Sequence, residues 1–196
     1  MEDFLKKAEL LDEQARQVIK DVRLMESWQS VGATLNMVGS FAMGLMMNHR
    51  DIDCHVYTDP FSLPDSFLAV SKIAENPRIR SVNYINLLDA EDKCLEWHAV
   101  YEAPDGETWK IDMIHILVDS VFDGHFEKVA QRVSQALTQE ARLAVLSIKD
   151  AMPEDQNVMG IEIYQAVIQD GVRDIRAFLE WKARRPEAAG IITWMP

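Results

Sequence analysis

The sequence predicts an α/β fold of the α+β kind, in which a mixed β-sheet core is flanked by helices and followed by a C-terminal helical segment. Short strand-like apolar runs are concentrated between residues 34 and 117, and turn-forming residues separate them. From His125 onward, apolar residues recur at helical spacing. A chain of 196 residues, 48% of them hydrophobic, is long enough to bury one core with a small appendage.

The first half of the chain alternates between helices and strands. Residues 3–28 are predicted to form one amphipathic helix, because apolar residues recur along one stripe. That stripe consists of Leu11, Ala15, Val18, Val22 and Met25. Strands are expected at residues 34–38, 51–57 and 79–88, and helices at residues 40–47 and 63–74.

The second half begins with a hairpin and continues as helices. Residues 93–102 and 108–117 are predicted to pair across Pro104-Asp105-Gly106, a strong turn signal. Helices are expected at residues 125–137, 139–151, 157–169 and 172–184, with a break at Gly171 and an end at Pro186. We therefore expect a core with its N-terminal helix at residues 1–124 and a helical segment packed on it at residues 125–196.

Charge and composition exclude several classes of protein. The net charge is −12, and residues 1–124 carry eleven Lys and Arg against twenty-two Asp and Glu. An acidic core does not suit an extended nucleic-acid groove, which needs clustered cations. No run of eighteen apolar residues occurs, so no membrane span is expected. The two cysteines, Cys54 and Cys94, lack metal-site spacing, and a cytoplasmic location with reduced thiols is expected.

A glycine-serine pair follows the first predicted strand. Gly39 ends the apolar run from Leu35 to Val38, and Ser40 begins the next predicted helix. Glycine lets the backbone approach a phosphate closely, and a helix start offers free N–H groups. The Ser40 hydroxyl could bind a phosphate oxygen or simply cap the helix. The pair is therefore a candidate nucleotide-binding loop.

Three aspartates form a candidate metal site. Asp51 and Asp53 are two residues apart in a predicted strand, so their side chains share a face and lie about 6.5 Å apart. Asp112 interrupts the apolar run Ile111-Asp112-Met113-Ile114. Neighbouring carboxylates repel each other, and Mg²⁺, which prefers oxygen ligands, relieves that repulsion.

These residues together resemble the signature of the DNA polymerase β-like nucleotidyltransferases, over about residues 34–117. By that resemblance, Gly39 and Ser40 match the nucleotide-phosphate loop, whereas Asp51, Asp53 and Asp112 match the catalytic metal ligands. The resemblance implies a nucleotidyltransferase-like core. About sixty residues separate Asp53 from Asp112, and Arg50 stands where many relatives carry a small polar residue.

The resemblance implies a Mg²⁺-dependent enzyme, with Mn²⁺ as an alternative metal and a nucleoside triphosphate as substrate. It would move a nucleoside monophosphate to the hydroxyl of a small molecule. Two alternatives are an antitoxin-like transferase that modifies a protein partner and a catalytically silent nucleotide-binding fold. The sequence chooses neither the acceptor nor the base.

Four further residues are weaker candidates. His55 shares the face of Asp53, and a packing or rim role is favoured for it. Lys110 could contact phosphate or pair with Asp112. Lys149 would suit a phosphate contact, and Tyr164 could stack on a base, although its apolar stripe favours a core position. If Asp112 lay elsewhere, the next candidates on the hairpin would be Glu96, Glu102 and Glu107.

Overall fold

The fold consists of a five-stranded mixed sheet and eight helices within the described residues. The computed structural model describes residues 2–153, 156, 158–185 and 191–196. In chain order the elements are α1 (Glu2–Asp21), α2 (Leu24–Gln29), β1 (Thr34–Met37), α3 (Gly39–Ala42), β2 (Asp51–Tyr57), α4 (Leu63–Ala74), β3 (Ile79–Leu87), β4 (Cys94–Glu102), β5 (Thr108–Ile116), α5 (His125–Ala136), α6 (Gln139–Asp150), α7 (Gly160–Ile168) and α8 (Ile175–Ala183). The predicted α+β class is confirmed.

The strand order in the sheet is β1-β2-β5-β4-β3. Strands β2 and β5 are parallel, and every other neighbouring pair is antiparallel. The β4–β5 hairpin turns at Gly106, whose φ of +85° suits glycine. The parallel pair therefore lies inside the sheet, and neither of its strands is an edge strand.

The two faces of the central strands have different chemistry, because side chains alternate along a strand. One face carries apolar side chains, among them Ile52, Ile111 and Met113, which pack against α1, α2 and α4 in the first hydrophobic cluster. The opposite face carries Asp51, Asp53 and Asp112. This division places the acidic side chains away from the main core.

A second hydrophobic cluster joins the helical segment to the rest of the chain. It contains Ala8 of α1 and Leu45 of the loop after α3, together with residues of α5 to α8. Helix α1 thus contributes to both clusters, since Leu11, Ala15 and Val18 belong to the first. The boundary at residue 124 stays a prediction, and the helical segment packs on the core in the described residues.

Two helix predictions are wrong. The helix predicted over residues 3–28 is broken into α1 and α2, because Arg23 adopts a left-handed conformation with a φ of +53°. The helix predicted over 40–47 has only four residues, and a positive φ of +62° at Gly44 follows it. Pro186 lies outside the described residues. No described helix has both the length and the apolar character that a membrane crossing requires.

A buried histidine in the core makes stability depend on pH. His115 of β5 lies between the rings of Trp28 and Phe61 and forms a 2.9 Å hydrogen bond with Thr58 through Nε2. Burial lowers the pKa of His115 from 6.5 to about 4. Between these values the unfolded chain takes up a proton that the folded chain does not, so stability falls as the pH falls.

We expect the free energy of unfolding to lose about 3 kcal/mol through this group between pH 7 and pH 4. The His115→Gln variant keeps a hydrogen-bonding side chain without the titration, so its unfolding free energy should depend less on pH. Denaturant unfolding at several pH values measures the difference, with His49→Gln at an exposed histidine as the control. Parallel pH profiles for wild type and His115→Gln would contradict the prediction.

Candidate active site

The three aspartates lie on neighbouring central strands. Asp51 and Asp53 project from β2, and Asp112 on β5 is the register partner of Asp53. Adjacent strands are about 4.8 Å apart, so the last two carboxylates stand side by side. Asp112 thus occupies the strand next to that of Asp51 and Asp53, as one shared metal site requires, and its catalytic role remains a prediction.

The pKa of Asp53 is raised by its surroundings. Burial, followed by the charges of Asp112 and Asp51, raises the pKa of Asp53 to about 7, although Lys149 opposes the rise. In the described part of the chain, the Asp51 and Asp53 carboxylates make no hydrogen bond. Half-buried carboxylates that lack donors create a site of excess negative charge, which a cation would neutralise.

Gly39 packs directly on Asp53. The backbone N–H of Val38 donates to the Asp53 carbonyl at 3.0 Å, which aligns the loop with β2. Gly39 has a φ of +64°, and a Cβ built there would overlap Asp53 Oδ2 and lie 2.9 Å from its Cγ. The absence of a side chain at Gly39 therefore leaves room for the central carboxylate.

Ser40 does not cap a helix. The N-cap position of α3 is Val38, and no side chain caps that helix. Instead, Lys149 Nζ donates to Ser40 Oγ at 2.7 Å, and the Tyr164 hydroxyl lies 3.0 Å from the same oxygen. Because α3 is only one turn long, the ammonium group of Lys149 adds a positive charge to the free N–H groups of the helix start.

Helix α6 fixes the loop that carries Ser40. Lys149 also donates to the Leu45 carbonyl at 2.8 Å, and Arg142, two turns earlier, donates to the carbonyls of Met43 and Gly44. Tyr164 of α7 is 4% exposed and belongs to the second hydrophobic cluster, so the core position favoured for it is confirmed. Its hydroxyl alone reaches the loop.

His98 contacts the third carboxylate and was missed by the sequence analysis. Its Nδ1 lies 2.7 Å from Asp112 Oδ1, and its Nε2 lies 3.1 Å from Glu96 Oε2. Burial alone lowers the pKa of His98, but the hydrogen bonds to Asp112 and Glu96 outweigh it, and the pKa is raised. The pairing of Lys110 with Asp112 that we considered is wrong, because His98 takes that place.

The other acidic candidates on the hairpin are engaged elsewhere. Glu102 pairs with Arg80 at 3.0 Å, and Glu107 pairs with Arg50 at 3.1 Å. Lys110 is exposed, and its backbone is in register with Asp51. It lines a cavity of about 370 Å³ together with Asp51, Asp53 and Lys149, which we call the polar cavity.

A second cavity meets the polar cavity at Ser40, Asp53 and Gly160. It has a volume of about 460 Å³ and lies between the sheet and helices α5 and α7. Its walls are mainly apolar, and we call it the apolar cavity. A larger cavity of about 680 Å³ lies between α1 and the β4–β5 hairpin and contains none of the three aspartates.

His55 lines the apolar cavity, and its side chain is held in place by contacts with helix α5. Its side chain is 8% exposed, its ring packs edge-on against Phe126, and Nδ1 lies 3.5 Å from Glu127 Oε1. The Tyr57 hydroxyl donates to the same oxygen at 2.8 Å. Burial alone raises the pKa of Glu127, but the contacts with His55 and Tyr57 lower it to about 2. This geometry agrees with the packing role favoured for His55.

The donor set fits a hard divalent cation that also binds substrate. No three acidic, histidine or cysteine side chains in the described ranges converge closely enough to enclose an ion by themselves. Mg²⁺ usually takes one or two carboxylates and completes its coordination with water and substrate phosphates. Asp51 and Asp53, without donors of their own and beside Asp112, meet that requirement.

No protein-family model and no curated protein matches the sequence. Solved structures match it. The poly(A) polymerase GLD-2 in complex with GLD-3 matches with a TM-score of 0.56 and 14% identity, over 86% of this chain and 58% of that one. The Cid1 poly(U) polymerase matches with a TM-score of 0.54 and 13% identity, over 85% and 53% of the two chains.

A cytoplasmic RNA terminal U-transferase gives a TM-score of 0.53 at 14% identity, over 85% of this chain and 53% of that one. The chain thus spans slightly more than half the length of these proteins. The likeness confirms the nucleotidyltransferase-like fold that the sequence predicted.

Proposed function

We propose that the protein is a divalent-metal-dependent nucleotidyltransferase that moves a nucleoside monophosphate from a nucleoside triphosphate to a hydroxyl of a small molecule. One observation carries the proposal. The carboxylate of Asp53, whose pKa is raised, lies beside that of Asp112 and next to a loop at which Lys149 and Ser40 meet. Negative charge for a metal and positive charge for phosphate are therefore adjacent.

Asp51, Asp53 and Asp112 would hold Mg²⁺, or Mn²⁺ in its place. A metal bound there would neutralise the charge that develops on the transferred phosphoryl group and on the leaving pyrophosphate. Asp112 projects from the neighbouring strand and would receive the proton of the acceptor hydroxyl. Asp51 and Asp53 on β2 would thus act as metal ligands, whereas Asp112 on β5 would act both as a metal ligand and as the base.

The triphosphate would lie against Lys149 and the Gly39-Ser40 loop, which contact each other. Lys149 supplies a fixed ammonium, Ser40 a hydroxyl donor, and the first N–H groups of α3 have no intrahelical acceptor. The apolar cavity is large enough for the base and is walled by Phe126, Val129 and Ile161. Because this cavity is adjacent to Ser40 and Asp53, a base bound in it would lie next to the proposed phosphate site.

The small-molecule acceptor is proposed from charge. Residues 1–124 carry twice as many acidic as basic residues, and such a core attracts a cationic hydroxyl compound, such as an aminoglycoside- or lincosamide-like molecule. The antitoxin-like alternative, transfer to a protein partner, uses the same site. A catalytically silent fold would need no such row of carboxylates.

A second candidate acceptor is an RNA terminus. The matched structures include poly(A) and poly(U) polymerases and an RNA terminal U-transferase. The sheet face beyond Asp112 carries the exposed side chains of Ser81 and Asn83, in the direction away from the helical segment. This polar, open surface is the feature of the chain that favours an extended acceptor.

Pyrophosphate release tests the proposal. The purified chain is mixed with Mg²⁺ and each of the four ribonucleoside triphosphates, with a cationic aminoglycoside, a short RNA or no acceptor. Mass spectrometry then identifies which molecule gains one nucleoside monophosphate. Absence of pyrophosphate release under all of these conditions, with Mg²⁺ or Mn²⁺, would contradict transfer to a small molecule or to an RNA terminus.

The Ser40→Ala variant should raise the KM for the nucleoside triphosphate about tenfold to a hundredfold, because it removes one hydrogen bond to a charged phosphate. Tyr164→Phe is the matched control, since it removes only the hydroxyl that faces Ser40. We expect both variants to lower the melting temperature slightly and only Ser40→Ala to raise KM. A loss of stability alone in Ser40→Ala would leave the phosphate role unsupported.

A further inference from the structure

We propose that His98 is a positioning residue for the third carboxylate. Its imidazole, backed by Glu96, holds Asp112 in the orientation that nucleotidyl transfer uses. This inference rests on the proposed function, since it assigns His98 a part in that reaction. It adds to the three aspartates a residue that the nucleotidyltransferase signature does not contain.

The contact is built into the sheet. His98 of β4 is the register partner of Asp112, just as Asp53 of β2 is on the other side. Asp53, Asp112 and His98 therefore form one row across three strands, with their side chains on the same face. The 2.7 Å distance between Nδ1 and Asp112 Oδ1 is that of a strong hydrogen bond.

This row assigns different tasks to the two oxygens of Asp112. Oδ1 accepts the hydrogen bond from His98, so Oδ2 remains for a metal or for the acceptor hydroxyl. Without His98, the carboxylate would stand beside Asp53 with no donor to hold it, and repulsion between the two would turn it away. His98 thus opposes the displacement that Asp53 would otherwise cause.

Glu96 fixes the ring from the other end. It lies two residues before His98 on β4, so both side chains project from the same face. Glu96 Oε2 lies 3.1 Å from Nε2, so each ring nitrogen faces a carboxylate oxygen. A flipped ring would place carbon atoms against Asp112 and Glu96 and lose both hydrogen bonds, which leaves one favoured orientation.

Two substitutions at His98 separate positioning from packing. Asparagine places an amide N–H close to the position of Nδ1 and can still donate to Asp112, whereas leucine has a similar size and no donor. With the triphosphate that the wild type uses fastest, His98→Leu should lower kcat about tenfold to a hundredfold at nearly unchanged KM. His98→Asn should recover most of that loss.

The structure of the variant gives a readout that does not depend on activity. A crystal structure of His98→Leu without nucleotide should show the Asp112 carboxylate rotated from its present orientation, while the backbones of β4 and β5 coincide with those of the wild type. In His98→Asn the carboxylate should keep its orientation. This measurement remains decisive even if the wild type releases no pyrophosphate, in which case the proposed function fails separately.

Two matched substitutions on β4 distinguish the role of Glu96 from the general loss of a negative charge. Glu96→Gln removes the carboxylate behind His98 and should lower kcat several-fold, whereas Glu102→Gln removes one from the same strand at the pair with Arg80 and should leave kcat unchanged. The proposal is overturned if His98→Leu and His98→Asn lose kcat equally, if neither loses it, or if Asp112 keeps its orientation in His98→Leu.

Discussion

Replacing Asp53 with asparagine should reduce nucleotidyl transfer at least about a thousandfold, because it removes the carboxylate at the centre of the site. The folded state should survive the change. The negative charges of Asp51 and Asp112 repel that of Asp53, so loss of the Asp53 charge relieves repulsion in the native protein. We expect an equal or higher melting temperature, which excludes unfolding as the cause of inactivity.

The measurements are pyrophosphate release, thermal unfolding and calorimetric binding of Mg²⁺ or Mn²⁺. Metal binding should weaken in Asp53→Asn and in Asp51→Asn. Asp89→Asn, at an exposed carboxylate between β3 and β4, is the control and should change none of the three. Transfer by Asp53→Asn at a rate close to that of the wild type would contradict the assignment of the metal site.

The residues of this site that the sequence predicted are those whose signal is local. Gly39 and Ser40 follow β1, and Asp51 and Asp53 begin β2. Local spacing therefore places the first pair in the connection between the strands and the second pair on one face of β2. Asp112 was a candidate because a charged side chain within an apolar strand is unfavourable unless it has a partner. The strand boundaries were predicted within about one residue, since turn residues separate the strands.

His98 was missed although the sequence contained a signal for it. The predicted hairpin joins residues 93–102 to 108–117, and pairing of Glu102 with Thr108 at the turn puts His98 opposite Asp112. A histidine opposite an aspartate in an apolar strand would then have been expected. Counting the register outward from the turn therefore finds residues that motif matching omits.

Other features depend on tertiary contacts that no local pattern encodes. Lys149 reaches Ser40 over a separation of 109 residues, and this depends on how α6 packs against the loop after α3. The helix expected over residues 40–47 fails for a related reason. Hydrogen bonds from Arg142 and Lys149 to backbone carbonyls of that loop take the place of a second helical turn.

Among the glycines that the structure describes, Gly39 is the one at which an added methyl group meets the closest neighbour. A Gly39→Ala side chain would overlap Asp53 Oδ2, so either the carboxylate or the loop must move. The left-handed φ of +64° adds about 1–2 kcal/mol of backbone strain for a residue with a Cβ. We expect transfer to fall as far as in Asp53→Asn, but with a clearly lower melting temperature.

Gly124→Ala separates the two causes of that loss. Gly124 has nearly the same φ, +63°, and a Cβ there would have nothing within 4 Å, so the variant reports backbone strain alone. Gly39→Ala should lose more stability than Gly124→Ala, and the excess measures the overlap with Asp53. The double variant Gly39→Ala/Asp53→Ala should regain part of that excess while remaining inactive, because the overlapping oxygen is gone. If Gly39→Ala and Gly124→Ala lose the same stability, or if the double variant regains none, the role of Gly39 lies in the approach of phosphate to the backbone and not in making room for Asp53.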